Sequence, residues 1–229
     1  MTLDWQDGQP FCTRFGDVYF SCDSGLEETR HVFLRGNRLP ERFAALSADQ
    51  SFAIGETGFG TGLNFLCAWQ LFEQLAPPDA GLDFASVEKF PLQTEELRAA
   101  LTLWPELHAN ATKLLVQWPQ MKPGWNQWSF ANGRVRLALA HCDVLQALPE
   151  FAAVEAWFLD GFSPARNPEM WAQPVLDGIA HASRPGATLA TYTCAGWVRR
   201  GLQQAGFAVE KTEGFGRKRE MLQGVYASQ

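Results

Sequence analysis

The sequence predicts an α/β protein: a mostly parallel sheet with helices on both faces, preceded by an N-terminal β-hairpin. Three observations carry this. From residue 51 onward, apolar strand-like segments alternate with helical patterns, which is how βαβ units read. A glycine-rich turn, Glu56-Thr-Gly58-Phe-Gly60-Thr-Gly62, falls where the first of those strands passes into the first helix. Acidic residues, Glu88, Asp143 and Asp160, stand at the ends of later strands, which gathers them at the carboxyl edge where open α/β sheets bind ligands.

Taken in order, residues 17–21 and 29–34 alternate like two strands across a turn at Gly25. Residues 1–50 are therefore expected to form a hairpin extension packed on a body of residues 51–229, one domain overall. Within the body, strands are expected at 51–55, 83–87, 134–140, 153–159, 187–193, 207–211 and 221–226. The apolar spacing of Leu63, Leu66, Trp69 and Phe72 predicts a helix buried on one side, with Thr61 placed to help cap it. Further helices are expected at 94–103, 106–117, 169–182 and 197–205, and loops at Pro77-Pro78 and 124–133.

Composition bounds the function. With 46% hydrophobic and 19% charged residues, the 229-residue chain can bury a sizeable core, which excludes a disordered or fibrous protein. Nine Trp and 17 Phe suit either a deep core or a stacking surface for rings. The five cysteines, at 12, 22, 67, 142 and 194, never come closer than ten residues, so no zinc or redox pair is expected and no metal. The first ten residues carry Asp4 and Asp7 without a basic and then apolar pattern, and no stretch has the roughly 18 apolar residues of a membrane span. A cytoplasmic protein without membrane association is expected. The net charge of −6 is unevenly spread: from residue 184 onward seven basic residues meet three acidic ones, which permits one basic patch on an acidic body.

The glycine turn narrows the chemistry. A dinucleotide fingerprint needs its third glycine one residue later, where Leu63 stands, and no Lys-Ser/Thr follows for a P-loop. The acid-x-Gly-x-Gly-x-Gly pattern resembles motif I of class I S-adenosylmethionine-dependent methyltransferases. Glu88 and Asp143 then stand where such a cofactor presents its ribose and adenine, although each alone reads equally as a solvated strand-end acid. Asp160-Gly-Phe162-Ser-Pro164 keeps the acid, aromatic and proline of the motif IV of amino-directed methyltransferases in changed order. The plain alternatives are a turn acid satisfying backbone N–H groups and a packed core phenylalanine.

Residues 17–21, 25–30 and 32–34, Gly58-Phe-Gly-Thr-Gly-Leu-Asn-Phe65, Glu88-Lys-Phe-Pro91, Trp157-Phe-Leu-Asp-Gly-Phe162, Asn167-Pro168, Met170-Trp171, Arg199-Arg-Gly-Leu202 and 214–222 together resemble the methyltransferase domain of the MnmC family of bacterial tRNA-modifying proteins. The resemblance runs nearly the length of the chain. It implies a Rossmann-like class I methyltransferase sheet with an antiparallel C-terminal strand. It also implies methyl transfer from S-adenosyl-L-methionine to the amine of 5-aminomethyl-2-thiouridine in tRNA, giving 5-methylaminomethyl-2-thiouridine. The expected cofactor residues are Glu56, Gly58, Phe59, Gly60, Thr61, Gly62, Asn64, Glu88, Asp143 and Asp160. Asp160 is expected to hold and orient the amine, and Phe162 to wall the pyrimidine. Tyr19, Phe20, Pro164 and Arg166 are expected on the substrate side. Arg199, Arg200, Arg217, Lys218 and Arg219 are expected to meet anticodon-stem phosphates, with Arg30 and Lys89 as weaker candidates. The family often joins this domain to an FAD-dependent oxidase that makes the amine, and 229 residues leave no room for one. The glycine loop and Asp160 alone also fit a methyltransferase of small-molecule or protein amines. A non-catalytic RNA-binding module would have little reason to keep all four carboxylates.

Overall fold

The computed structural model describes residues 3–6, 8–20 and 24–227. Asp7, Ser21, Cys22 and the last two residues, which enter the expectations above, lie outside the described residues. Strands β1 (Leu3–Gln6), β2 (Gln9–Cys12) and β3 (Asp17–Val18) form a small antiparallel sheet of order β1-β2-β3. The N-terminal hairpin thus exists, but earlier in the chain than expected. The second expected strand, 29–34, is instead helical: α1 (Gly25–Thr29) runs directly into a π-helical turn over Arg30–Arg35, and α2 (Leu39–Ala44) follows. The reason is burial. Val32, Phe33 and Leu34 are consecutive and all buried, whereas a strand with one solvated face would alternate.

The body is an eight-stranded sheet flanked by helices. In chain order its elements are β4 (Ser51–Glu56), α3 (Leu63–Leu75), β5 (Gly81–Val87), α4 (Thr94–Leu101), α5 (His108–Gln117), β6 (Gly124–Phe130), β7 (Val135–His141), α6 (Val144–Ala147), β8 (Val154–Phe158), α7 (Gln173–Ala182), β9 (Ser183–Thr191), α8 (Gly196–Gln204), β10 (Phe207–Glu213) and β11 (Glu220–Tyr226). The strand order is β10-β11-β9-β8-β4-β5-β7-β6. The five central strands pair in parallel, while β6, β10 and β11 are antiparallel. β6 occupies residues expected as a loop. Its Asn and Gln side chains and leading glycine read as turn chemistry, yet it is an edge strand paired along its length with β7. Thr61 does not cap α3 either: the N-cap is Gly62, at φ 72°, without a side-chain hydrogen bond.

β8 shows how the sheet divides the core. Phe158 joins the aromatic cluster of Phe33, Phe65, Trp69 and Phe84 on one side, and its neighbour Trp157 joins Phe151, Val175 and Ile179 on the other. Trp69, Trp157, Phe43, Phe65, Phe72, Phe84 and Phe158 have essentially no exposure, so much of the unusual aromatic content is core. The extension is fastened to the body by the Glu96 carboxylate, which accepts the Leu3 N–H at 3.0 Å and also closes the capping box of α4. From β4 the chain moves to β5 on one side and later returns to β8 on the other. That reversal opens a crevice at the carboxyl ends of β4 and β8.

Candidate active site

A cavity of about 670 Å³ opens at this crevice. Its floor is the glycine turn. Gly60 and Gly62 have positive φ (54° and 72°), a conformation that disfavours side chains. Gly58 is pressed against the loop after β8: a Cβ there would lie 3.2 Å from the Asp160 carbonyl oxygen and the Gly161 Cα. Thr57 clamps the same two segments, its hydroxyl donating to the Asp160 carbonyl at 2.7 Å and accepting the Asp160 N–H at 3.1 Å.

Two carboxylates anchor the floor. Glu88 accepts the Gly60 N–H at 3.0 Å and the Phe90 N–H at 2.8 Å, and burial nevertheless holds its pKa above the usual carboxylate range. Both oxygens keep a lone pair for a further donor. Asp143 caps α6 through the Leu145 N–H at 3.0 Å and pairs with Lys89 at 2.8 Å, which lowers its pKa. Glu88, Asp143, Phe59, Gly58, Gly60, Thr61 and Asn64 all line the cavity. Glu56 and Gly62 do not. Glu56 is fully buried behind the wall, its two oxygens accepting from Asn64 Nδ2 at 2.9 Å and Ser86 Oγ at 2.6 Å. Desolvation pushes its pKa up to about 8.

Asn64 joins Glu56 to Asp160. Its amide nitrogen donates to both carboxyls, at 2.9 Å and 2.6 Å, and its oxygen accepts the Thr29 hydroxyl at 2.8 Å. These contacts orient Asp160. The other Asp160 oxygen accepts the Gly161 N–H at 2.8 Å, and burial raises the pKa to about 6. The carboxylate is therefore charged at neutral pH and has lone pairs to offer into the cavity.

The opposite wall is aromatic. Phe162 stacks on Phe15 at 4.7 Å between ring centroids and meets the edge of Tyr19 at 5.3 Å. The Tyr19 hydroxyl is buried, which pushes its pKa upward. Phe20 also lines the cavity while packing on Trp104. Pro164 is buried beneath the loop and contributes no lining. Of the five expected phosphate-binding residues, Arg217 and Lys218 reach the cavity from the β10–β11 turn. Lys218 is engaged by Glu28 at 2.7 Å and lies 4.1 Å over the Tyr192 ring. Arg199 and Arg200, in the middle of α8, and Arg219 sit outside it, as does Arg166 in the loop after β8. Arg30 pairs with Glu27 and Glu106, away from the cavity. Sequence reasoning missed Arg14, Phe15, Glu28 and Tyr192. None has a local signature, and each reaches the site only through the fold.

A family model described as S-adenosyl-L-methionine-dependent methyltransferase matches residues 105–227. The chain belongs to this methyltransferase family. Its cofactor is S-adenosyl-L-methionine. The donor set fits that cofactor: a carboxylate with free lone pairs at Glu88, a second at Asp143, and a glycine floor without side chains suit a nucleoside bearing a diol, an adenine and an amino-acid tail. Among similar proteins, the tRNA 5-methylaminomethyl-2-thiouridine biosynthesis bifunctional protein MnmC of Nitrosospira multiformis is 66% identical over 97% of this chain and 36% of its own length. The protein of the same name from Pseudomonas paraeruginosa is 58% identical over 98% of this chain and 35% of its own. The methyltransferase chain thus spans about a third of the length of these curated relatives. The crystal structure of MnmC2 from Aquifex aeolicus matches with a TM-score of 0.76 and 24% identity over 99% of this chain and 70% of that one, a likeness of fold. Among the described residues, no helix is long and apolar enough to cross a membrane.

Proposed function

We propose that this methyltransferase acts on the primary amine of 5-aminomethyl-2-thiouridine in the anticodon loop of tRNA, giving 5-methylaminomethyl-2-thiouridine. The observation that carries this is the placement of Asp160, a charged carboxylate held rigid by Asn64 and Gly161 beside an aromatic wall able to receive an unstacked base. The names of the 66% and 58% identical relatives support the substrate.

When bound, S-adenosyl-L-methionine supplies an electrophilic methyl on sulfur. Glu88 would hold the ribose side and Asp143 the adenine side, over the backbone of Gly58, Phe59, Gly60 and Thr61, with Gly62 shaping the turn behind them. Glu56 and Asn64 serve by position, through Asp160. Asp160 accepts a hydrogen bond from the amine, aims its lone pair at the methyl and stabilises positive charge as it grows on nitrogen. Phe162, with Tyr19 and Phe20 behind it, walls the pyrimidine. Arg217 and Arg219, with Arg199 and Arg200 across the same edge of the sheet, face the stem phosphates.

The relatives are bifunctional and about three times longer, so an FAD-dependent oxidase, joined to this chain or separate, is the proposed source of the amine in the cytoplasm. Residues 1–50 and 51–229 are the proposed extension and body. The test is transfer of labelled methyl to tRNA carrying the 5-aminomethyl group, with fully modified tRNA as control and nucleoside analysis of the product. Label in 5-methylaminomethyl-2-thiouridine supports the reading. Cofactor binding with transfer only to small-molecule or protein amines overturns it.

A further inference from the structure

The turn between β2 and β3 is short, exposed and far in sequence from the site, yet it is built into the cavity wall. The Gly16 N–H donates to the Cys12 carbonyl at 2.8 Å, closing the turn. Asp17 accepts the Ser163 N–H at 3.0 Å, tying the turn to the loop after β8. Between these anchors stand Arg14 and Phe15. Phe15 lies on Phe162, with 25° between the ring planes, and its centroid is 6.2 Å from that of Phe90. The Arg14 guanidinium sits 4.0 Å over the Phe90 ring. Arg166 reaches the same turn, its Nη1 lying 3.8 Å from where a Cβ on Gly16 would be.

Charge bookkeeping singles out the two arginines. Of the cations on the cavity wall, Lys89 is paired with Asp143, Lys218 with Glu28, and Arg217 is engaged as well. Arg14, which lines the cavity, and Arg166, which lies beside the turn outside that lining, have no acidic partner among the described residues. In a chain of net charge −6, two uncompensated guanidiniums flanking a stacked aromatic pair at the mouth of a cavity suit a planar ring carrying an anion beside it. A nucleotide of single-stranded RNA has that chemistry: stacking supplies the ring contact and a guanidinium fork meets a phosphate.

We infer that the β2–β3 turn is a nucleotide-binding element, in which Phe15 completes the stacking wall for the substrate nucleotide and Arg14, with Arg166, binds its phosphates. This rests on the proposed RNA substrate and gives the N-terminal extension a role in binding that substrate. The element holds the nucleotide, so its loss is read in the RNA.

The experiment compares wild type, Arg14→Ala, Arg14→Lys, Phe15→Leu and Phe15→Trp for methyl transfer to tRNA bearing the 5-aminomethyl group across a salt series, with S-adenosyl-L-methionine affinity and thermal unfolding measured alongside. Arg14→Ala should raise the tRNA KM about tenfold and reduce the slope of log affinity against log salt by about one, while Arg14→Lys keeps the slope. Phe15→Leu should raise KM roughly tenfold with cofactor affinity and melting unchanged, and Phe15→Trp should restore it. An unaltered salt slope in Arg14→Ala, or equal KM in Phe15→Leu and wild type, overturns the inference while wild-type transfer still stands. Absence of transfer by wild type itself would instead sink the substrate reading beneath it.

Discussion

The two sides of the cavity are built on different principles. On the glycine-turn side every carboxylate is already committed: Glu88 to two backbone N–H groups, Glu56 to Ser86 and Asn64, and Asp160 to Asn64 and Gly161. That side is a preorganised polar frame, and it loses little entropy on binding. The opposite side is aromatic and cationic, with Phe15 and Tyr19 packed on Phe162 and with Arg14 and Arg166 lacking an acidic partner among the described residues. One side is satisfied before the ligand arrives and the other is completed by it. Mutations should therefore act differently on the two: turnover and stability on the first, substrate affinity on the second.

The largest expected effect is at Asp160. Asp160→Ala should lower kcat by about 10²-fold or more while cofactor affinity changes little. Equal loss of cofactor binding would place Asp160 with the frame alone. The pH profile sharpens this. Burial raises the Asp160 pKa to about 6, so the carboxylate form is depleted below that pH, while an aliphatic amine holds its proton up to about pH 8 or above. Both losses fall on the acid side. Log kcat/KM should thus rise with slope two below about pH 6, with slope one from there to the amine pKa, and level off above it, and Asp160→Asn should show slope one all the way up to the amine pKa. Slope one in the wild type below pH 6 would remove the Asp160 carboxylate from the reaction.

Glu56 tests the frame without touching substrate. Its pKa rises from 4.5 to about 8 in the folded protein through burial. The folded state holds a proton that the unfolded chain releases above about 4.5, so stability falls as pH rises across that window and levels off above about 8. Gln mimics the protonated acid in its contacts with Asn64 and Ser86. Urea unfolding should show Glu56→Gln gaining on the order of 3 kcal/mol over wild type between pH 5 and pH 8. A difference that does not vary with pH would mean Glu56 titrates normally.

The same contrast explains what was legible in the sequence. The polar frame lies within short motifs: Glu56 to Asn64 is one turn, and Glu88 and Asp160 each end a strand whose apolar run is plain. The aromatic side is assembled across distance. The Asp17 to Ser163 hydrogen bond spans 146 positions and Lys218 to Glu28 spans 190, so no local pattern marks them. The errors in secondary structure have physical causes too. Residues 29–34 looked like a strand because β-branched and aromatic residues alternate with polar ones at its start, but three consecutive buried side chains demanded a helix between layers. The 124–130 strand was hidden because an edge strand carries polar residues on its exposed positions.

The smallest expected effect lies in the C-terminal basic residues, where counting charges misleads most. Lys218 looks in sequence like the centre of a phosphate-binding run, but its ammonium is 2.7 Å from Glu28, and the pair presents little net charge to an incoming phosphate. Lys218→Ala should leave the salt slope of tRNA binding nearly unchanged and act through stability, because it strands the mostly buried Glu28 carboxylate. Arg200 and Arg219 are exposed and lie outside the cavity. Arg200→Ala combined with Arg219→Ala should raise the tRNA KM about threefold, less than Arg14→Ala alone, with a modestly reduced salt slope. A drop of two in that slope, with Arg14→Ala silent, would reverse the assignment and make the C-terminal edge the main RNA contact.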